Sequence, residues 1–365
     1  MTLGANISER LTGWLSTQLP DADDVRVEGL DRVHFGHSAE VMMLTVVTRP
    51  GGEDTCKETR QEVVLRLRPK PPALLEPYDL ARQFTILRAL EDTAVRVPRV
   101  LWFEDSGEVL GQPFFVMQRA VGDVYEMEAP AGLADQTVAR MCLSLAEQIA
   151  AIHSVDLKQT GLDALDEGSD HLDRELDHWA AEMNRVKRDS LPALERLHQA
   201  LRESKPEPGP RVTLVHGDAK PGNFAFTDGE VSAVFDWEMT TVGDPLTDVG
   251  WLEMLWIQPV GINSHPAALT IDALLAHYEA VSGISVQNRS WYRAFNAYKM
   301  AVICLIGAML VDDGHSDDQK LVLAAYGTSL MTKVGLSELG IDETLDDGPV
   351  LPREQRIQQV LAQAT

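Results

Sequence analysis

Residues 214–251 read LVHGDAKPGNFAFTDGEVSAVFDWEMTTVGDPLTDVGW, and this stretch decides how the rest of the chain is read. It holds two strand-like runs, a turn at Asp228-Gly229, and polar residues crowded at the strand ends. Asp218 and Asn223 lie on one loop, opened by His216-Gly217 and bent by Pro221-Gly222. Asp236 follows the apolar run VSAVF, so it projects from a strand end, as a metal-binding carboxylate must. Magnesium takes hard oxygen ligands, few of them from protein and the rest from phosphate and water. One carboxylate and one amide carbonyl on neighbouring loops meet that demand. Asp218 is then left to orient a hydroxyl and take its proton. An Asp with an Asn five residues on is, by itself, most often an ordinary loop; two linked motifs in order are a far stronger signal.

The string HGDAKPGN, followed by FDWE and GDPLTD, resembles the aminoglycoside phosphotransferase and choline kinase-like family, distant relatives of protein kinases. Protein kinases carry H-R-D-L-x-x-x-N and D-F-G at the matching places. The resemblance implies that Asp218 is the catalytic base and that Asn223 and Asp236 are magnesium ligands. It puts Lys220 where protein kinases hold a phosphate-contacting lysine, Glu238 beside the metal, and Asp248 as a buried acid bracing the catalytic loop. It covers about Gly29 to Val311 and implies an α+β, two-lobed protein-kinase-like fold. The expected N-lobe, residues 1–120, is a small antiparallel sheet with an N-terminal helix and one further helix. The expected C-lobe, residues 121–365, is large and helical. The implied activity is ATP- and magnesium-dependent phosphoryl transfer to a hydroxyl of a small molecule, with GTP as an alternative donor. The competing reading is a nucleotide-binding pseudokinase that serves as a binding or scaffolding module.

Composition narrows the partners. The chain has 365 residues, 44% of them hydrophobic, enough to bury a full core. Its 32 basic and 56 acidic residues give a net charge of −24, which repels a phosphate backbone, so nucleic acid is not an expected partner. The acid excess reads mainly as a solvated surface, and it also permits a cleft attractive to cationic substrates. Three scattered cysteines, Cys56, Cys142 and Cys304, fit no zinc spacing or disulfide framework and suit a reducing, cytoplasmic location. The N-terminus shows no basic start followed by an apolar core, so no secretory signal is expected. The apolar run Met300–Val311 is too short to span a bilayer and reads as a buried helix, so no membrane partner is expected.

Along the chain, Ile7, Leu11, Trp14, Leu15 and Leu19 share one helical face, with Asn6 and Glu9 as a capping pair and Pro20 closing the segment. Then VRVEGLDRV, EVMMLTVVTR and QEVVLRLR read as strands separated by turn residues, notably Gly51-Gly52. Tyr78 to Leu90 reads as a helix, and VPRVLWFED and PFFVMQR as two more strands. In the resemblance, FGHSAE is the loop between the first two strands, where Gly36 permits close backbone approach to phosphates and Ser38 offers its hydroxyl. Arg66, with Arg68 as the second choice, stands where kinases hold α- and β-phosphates with lysine, and Gln83 replaces the usual helix glutamate. The hinge that holds adenine falls at Gln118 to Ala120, with Met117 either at the back of that pocket or plain core.

The second half reads as helical. TVARMCLSLAEQIAAIHSVD ends in His153, read as a structural residue under the catalytic loop. Residues 161–177 hold seven acids against one arginine, mostly a solvated face, although Asp170, Asp173, Glu175 and Asp177 are also candidates to face an acceptor. Helices are expected from Ile271 to Val281 and from Trp291 to Val311, with a short one at Glu354–Ala364. Trp251, Trp256, Trp291, Tyr292 and Tyr298 are core first and candidate walls of an acceptor pocket second.

Overall fold

Alternation of side chains on β-strands sets the architecture of the first part of the chain. In the computed structural model, which describes residues 3–33, 40–50, 58–128, 131–168, 170–207, 209, 211–316, 318–341, 344, 346–348 and 350, the contacts divide the chain into two units. The first runs to Asp123 and also takes residues 225–227 and 231–238; the second holds the remainder. The hairpin leading to Asp236 thus groups with the sheet, where a single cut near residue 120 would have put it with the helices.

The first unit opens with helix α1 (Leu3–Gln18), strands β1 (Ala22–Val33), β2 (Glu40–Pro50) and β3 (Thr59–Leu67), helix α2 (Leu80–Leu90), and strands β4 (Val100–Glu104) and β5 (Phe114–Gln118). The five strands form an antiparallel sheet in the order β1-β2-β3-β5-β4. On β3, Val63, Leu65 and Leu67 turn to one face and pack with Leu11 and Leu15 of α1. Each such side chain, fully buried, contributes roughly 1.5–3 kcal/mol. The register sets Arg66 opposite Val41 on β2 and Phe115 on β5, so by alternation it faces away from that core. Helix α2 starts at an Asp79 N-cap that accepts from the Arg82 amide, and its Phe84 stacks on Phe103 and meets Phe115 edge-on. Because α1 already includes Leu3, Asn6 lies inside the helix and does not cap it, contrary to the expectation from the Asn6–Glu9 spacing.

Strand β6 (Asp123–Val124) follows, and the second unit is then mainly helical, with α3 (Asp135–Ile152), α4 (Leu157–Thr160), α5 (His171–Val186) and α6 (Pro192–Glu203). Strand β7 (Thr213–Val215) leads into the HGDAKPGN loop, and β8 (Phe224–Thr227) and β9 (Glu230–Val234) form a hairpin. At its tip Asp228 and Gly229 both have positive φ, 52° and 82°, the geometry of a two-residue turn suited to strand twist. Strand β10 (Thr241–Gly243) pairs antiparallel with β7, and helices α7 (Leu246–Trp256), α8 (Ile271–Ser282), α9 (Arg289–Asp312) and α10 (Gln319–Glu338) complete the described elements.

Helix α9 corrects one expectation. The apolar run first measured from Met300 is part of a 24-residue helix, long and apolar enough by composition to cross a membrane. Its apolar window is 78% buried inside the protein, against α10, α7, α5 and α6, as in a core helix. The expected helix at Glu354–Ala364, the Gly51-Gly52 turn and Cys56 lie outside the described residues. Cys142 is a buried and Cys304 a half-buried free thiol, and burial pushes the Cys304 pKa up to about 11.

Candidate active site

The loop after β7 is held from beneath by one buried carboxylate. Asp248, in the first turn of α7, accepts the backbone N–H of His216 at 2.7 Å and of Gly217 at 2.8 Å. Its Oδ2 also lies 3.1 Å from His153 Nε2, while His153 Nδ1 meets the Tyr278 hydroxyl at 2.8 Å. Burial by itself raises the Asp248 pKa, but the His153 bond, the nearby histidines and the amide donors outweigh it and hold the group below the ordinary Asp value. Gly217 has φ +85°, and a Cβ there would stand 2.2 Å from the Met239 carbonyl oxygen, so the motif admits only glycine at this point.

That bracing presents Asp218. Its Oδ1 accepts the Trp251 indole N–H at 2.8 Å and its Oδ2 accepts the Asn223 amide N–H at 2.8 Å. Lys220 Nζ stands 3.4 Å from the same Oδ2. Both Asn223 side-chain bonds, to Asp218 Oδ2 and to the Asp218 carbonyl at 2.9 Å, use Nδ2. The amide oxygen, the atom a hard cation uses, is not the atom engaged. Asp218, Lys220 and Asn223 are therefore brought together, with fixed geometry at the carboxylate.

Within the sheet unit, Arg66 and Asp236 are brought together. Arg66 is 9% exposed; its guanidinium reaches Asp236 Oδ1 at 2.7 Å and Glu238 Oε2 at 3.2 Å, and its Nε donates to the Tyr78 hydroxyl at 3.3 Å. Burial alone draws the Arg66 pKa down, but the charges of Asp236 and Glu238 outweigh it and hold it above its ordinary value. Asp236 itself has φ +66°, an uncommon conformation that Asp tolerates better than most residues. Gln83 is buried on α2 and lies near the Tyr78 hydroxyl, which it helps to ionise against the effect of burial, and that hydroxyl accepts from Arg66 Nε. Arg68 lies past the end of β3, half-buried, which leaves Arg66 as the inward one of the two.

Met117 is buried on β5, and Gln118 ends that strand. The Gln118 N–H donates to the Arg99 carbonyl at 2.8 Å and the Arg119 N–H to the Glu62 carbonyl at 3.2 Å. Those two hinge donors are committed to the sheet unit, and the Ala120 amide is the next along the chain. Gly36 and Ser38 lie outside the described residues. Among the described residues, no group of three or more His, Cys, Asp or Glu side chains is arranged to hold a metal ion.

The acids considered as acceptor contacts have partners of their own. Lys205 bonds Asp170 at 2.6 Å and Asp173 at 2.7 Å, Arg202 bonds Asp177, and Glu175 accepts the Trp179 indole N–H at 3.1 Å. The five rings considered as pocket walls, Trp251, Trp256, Trp291, Tyr292 and Tyr298, are buried: Trp291 stacks on Phe295 at 5.6 Å and donates to the Leu201 carbonyl, and Trp256 donates to the Leu269 carbonyl. Two residues stand out that sequence reasoning passed over. Trp251 was grouped with the core rings, yet it holds the Asp218 carboxylate. Lys299, directly before the apolar run Met300–Val311, is 5% exposed and donates to the Gly217 carbonyl at 2.7 Å. A lone lysine inside an apolar helical stripe was the available signal.

A model of the phosphotransferase enzyme family matches residues 55–295. The chain is 30% identical over 256 residues to acyl-CoA dehydrogenase family member 10 of Mus musculus, covering 67% of this chain and 24% of that protein. It is 29% identical over 272 residues to acyl-CoA dehydrogenase family member 11 of Rattus norvegicus, covering 70% and 35%. The chain thus spans only about a quarter to a third of the length of these relatives. Among solved structures, a Ralstonia eutropha protein provisionally assigned as an aminoglycoside phosphotransferase superposes with a TM-score of 0.72 at 22% identity, covering 91% of this chain and 98% of that one. The fold, a mixed α+β one with an antiparallel-sheet N-terminal part and a helical C-terminal part, is that of the kinase-like aminoglycoside phosphotransferases. With two thirds of its length inside the family match, the chain belongs to the phosphotransferase enzyme family.

Proposed function

We propose that this protein transfers the γ-phosphoryl group of ATP, with magnesium, to a hydroxyl of a small molecule. The observation that carries the reading is the Asp218 carboxylate, fixed by N–H donors from Trp251 and Asn223 on a loop anchored to Asp248. Such a carboxylate is aimed and kept from rotating, which is what a base needs when catalysis is mostly positioning. In the proposed step the acceptor oxygen bonds the γ-phosphorus as the bond to the β–γ bridging oxygen breaks. ADP leaves with that electron pair, and Asp218 takes the hydroxyl proton. Lys220, beside Asp218, is proposed to steady the transferring phosphoryl group, and Arg66 to hold the remaining phosphates.

The residues proposed for magnesium are Asn223 and Asp236. The donor set suits a hard cation, since each residue supplies an oxygen: the amide oxygen of Asn223, whose two side-chain bonds above use Nδ2, and the carboxylate of Asp236. When bound, the ion supplies charge neutralisation on the phosphates. Met117 and the chain from Gln118 to Ala120 are proposed to bind adenine, with the Ala120 amide, next after two amides bonded within the sheet unit, as the proposed donor.

The acceptor class is guided by two facts. Asp170, Asp173 and Asp177 carry their own cationic partners, which weakens the case for a cationic acceptor. The relatives named above are acyl-CoA dehydrogenase family members of which this chain matches one part. We infer that a hydroxylated acyl-CoA is the acceptor to test first, ahead of aminoglycosides and amino alcohols. The test is ADP release by pure protein with magnesium, ATP and each acceptor in turn. Saturable turnover with one hydroxyl compound supports the reading; no turnover with any acceptor and no slow ATP hydrolysis favours the pseudokinase. That second reading is motivated by Arg66, whose charge is already engaged by two carboxylates, and by the uncharged Gln83.

A further inference from the structure

Lys299 is hard to explain as a structural residue. It sits in the middle of α9 with Tyr298, Ala301 and Val302, all fully buried, and among the described residues no carboxylate lies within salt-bridge distance of it. An ion taken out of water without a direct counter-ion costs several kcal/mol, and a methionine of similar length would fill the space without that cost. What the ammonium does have is directional. It donates to the Gly217 carbonyl at 2.7 Å and lies over the Trp251 ring at 4.8 Å and the Trp179 ring at 5.7 Å. Trp251 is the residue whose indole N–H grips Asp218 Oδ1, and Gly217 is the residue immediately before Asp218.

We propose that Lys299 is a positioning residue for phosphoryl transfer: its ammonium pins the Gly217 peptide and the Trp251 ring together, and through them aims the Asp218 carboxylate. The proposal rests on the phosphotransferase reading for its kinetic consequence. The two contacts reach Asp218 by independent routes, one through the backbone and one through the indole. A neutral side chain of the same shape supplies neither. Burial draws the Lys299 pKa down, opposed by the charges of Glu175 on α5, Asp218 on the loop and Asp248 on α7. His171 on α5 is the other titratable group in this neighbourhood. A cavity of about 10 Å³ beside Lys299, lined also by Glu175 and Thr241, is of the size that holds one water.

Lys299→Met, Lys299→Arg and Trp251→Phe test this in the full chain. Lys299→Met is expected to fold with unchanged or raised Tm, since it discards a buried charge. Its kcat should fall between about 10- and 100-fold, with KM for ATP within about twofold of wild type, because a misplaced base loses rate and not nucleotide binding. Exchange of the Trp251 indole N–H with solvent, followed by NMR and assigned by its absence in Trp251→Phe, should quicken by about tenfold or more. Lys299→Arg, which can still donate and stack, should recover part of both. Unchanged kcat and unchanged indole exchange in Lys299→Met overturn the proposal. If wild type shows no phosphoryl transfer with any acceptor, the phosphotransferase reading fails, and the indole exchange alone decides the role of Lys299. If Lys299→Met does not fold, Trp251→Phe, with Lys299 in place, should lose about tenfold in kcat at constant KM, and an unaltered kcat there overturns the route through the indole.

Discussion

Arg66 and Asp236 lie 170 residues apart in sequence and 2.7 Å apart in the sheet unit. The guanidinium is shared between Asp236 and Glu238, so removing it takes a direct cationic partner from two carboxylates with little solvent, their side chains 21% and 8% exposed. Arg66→Ala is therefore expected to destabilise by about 3–5 kcal/mol in urea unfolding, the range for breaking a buried pair from one side. It should also weaken ATP use strongly, with Arg66→Lys retaining part. Arg68→Ala is the control, and a loss there equal to that of Arg66→Ala would reverse the assignment.

Asp236→Ala tests the magnesium assignment. Magnesium-dependent thermal stabilisation by ATP should disappear, because a ligand raises Tm only through binding to the folded state. A shift in Tm equal to that of wild type would place the metal elsewhere.

The loop itself was legible because its parts are close in sequence. Asp218, Asn223 and Asp248 fall within one continuous stretch; the carboxylate and amide on one loop could be read from the residues, whereas the Asp248 brace was implied by the resemblance. His153 and the strand-strand-strand-helix-strand-strand order were legible for similar reasons: helical periodicity and period-2 alternation are local signals. Trp251 and Lys299 were not. Their roles depend on which face of α7 and α9 turns toward the loop, and a tryptophan or lysine in a helix has the same local pattern whether it packs, faces water or grips a carboxylate. Tyr78 was missed for the same reason. The sequence set an uncharged Gln83 where kinases pair a helix glutamate with the strand cation, and gave no sign that Arg66 Nε would donate to the Tyr78 hydroxyl.

Asp248 predicts an acid limb of stability. Its folded pKa is depressed, so its contribution is fully present above the unfolded value of about 3.9 and is lost as pH falls through the lower folded value. Asp248→Asn should destabilise by about 1–3 kcal/mol at neutral pH and should lose stability less steeply than wild type below about pH 4. Parallel acid limbs in the two proteins, measured by urea unfolding, would contradict the ionised brace.

His171 predicts a second pH dependence at milder acidity. Burial lowers its pKa, with Arg174 adding to the effect and Glu175 opposing it. Its Nδ1 accepts the Asp244 amide N–H at 3.1 Å, and its Nε2 is buried with no hydrogen-bond partner among the described residues. The unfolded chain takes up the proton near pH 6.5 and the folded one does not, so stability holds above about 6.5 and falls as pH drops below it. His171→Gln should flatten Tm against pH in that window; an unchanged slope would assign the acid sensitivity to another group.

The central claim is that Asp218 is the base of a phosphoryl transfer, and turnover of Asp218→Asn tests it most directly. Asparagine keeps the size of the side chain and one acceptor oxygen but cannot take the proton. With the acceptor that wild type turns over, the rate should fall by roughly 10²–10⁴-fold while ATP still raises Tm as it does in wild type. Equal turnover in the two proteins would contradict the account.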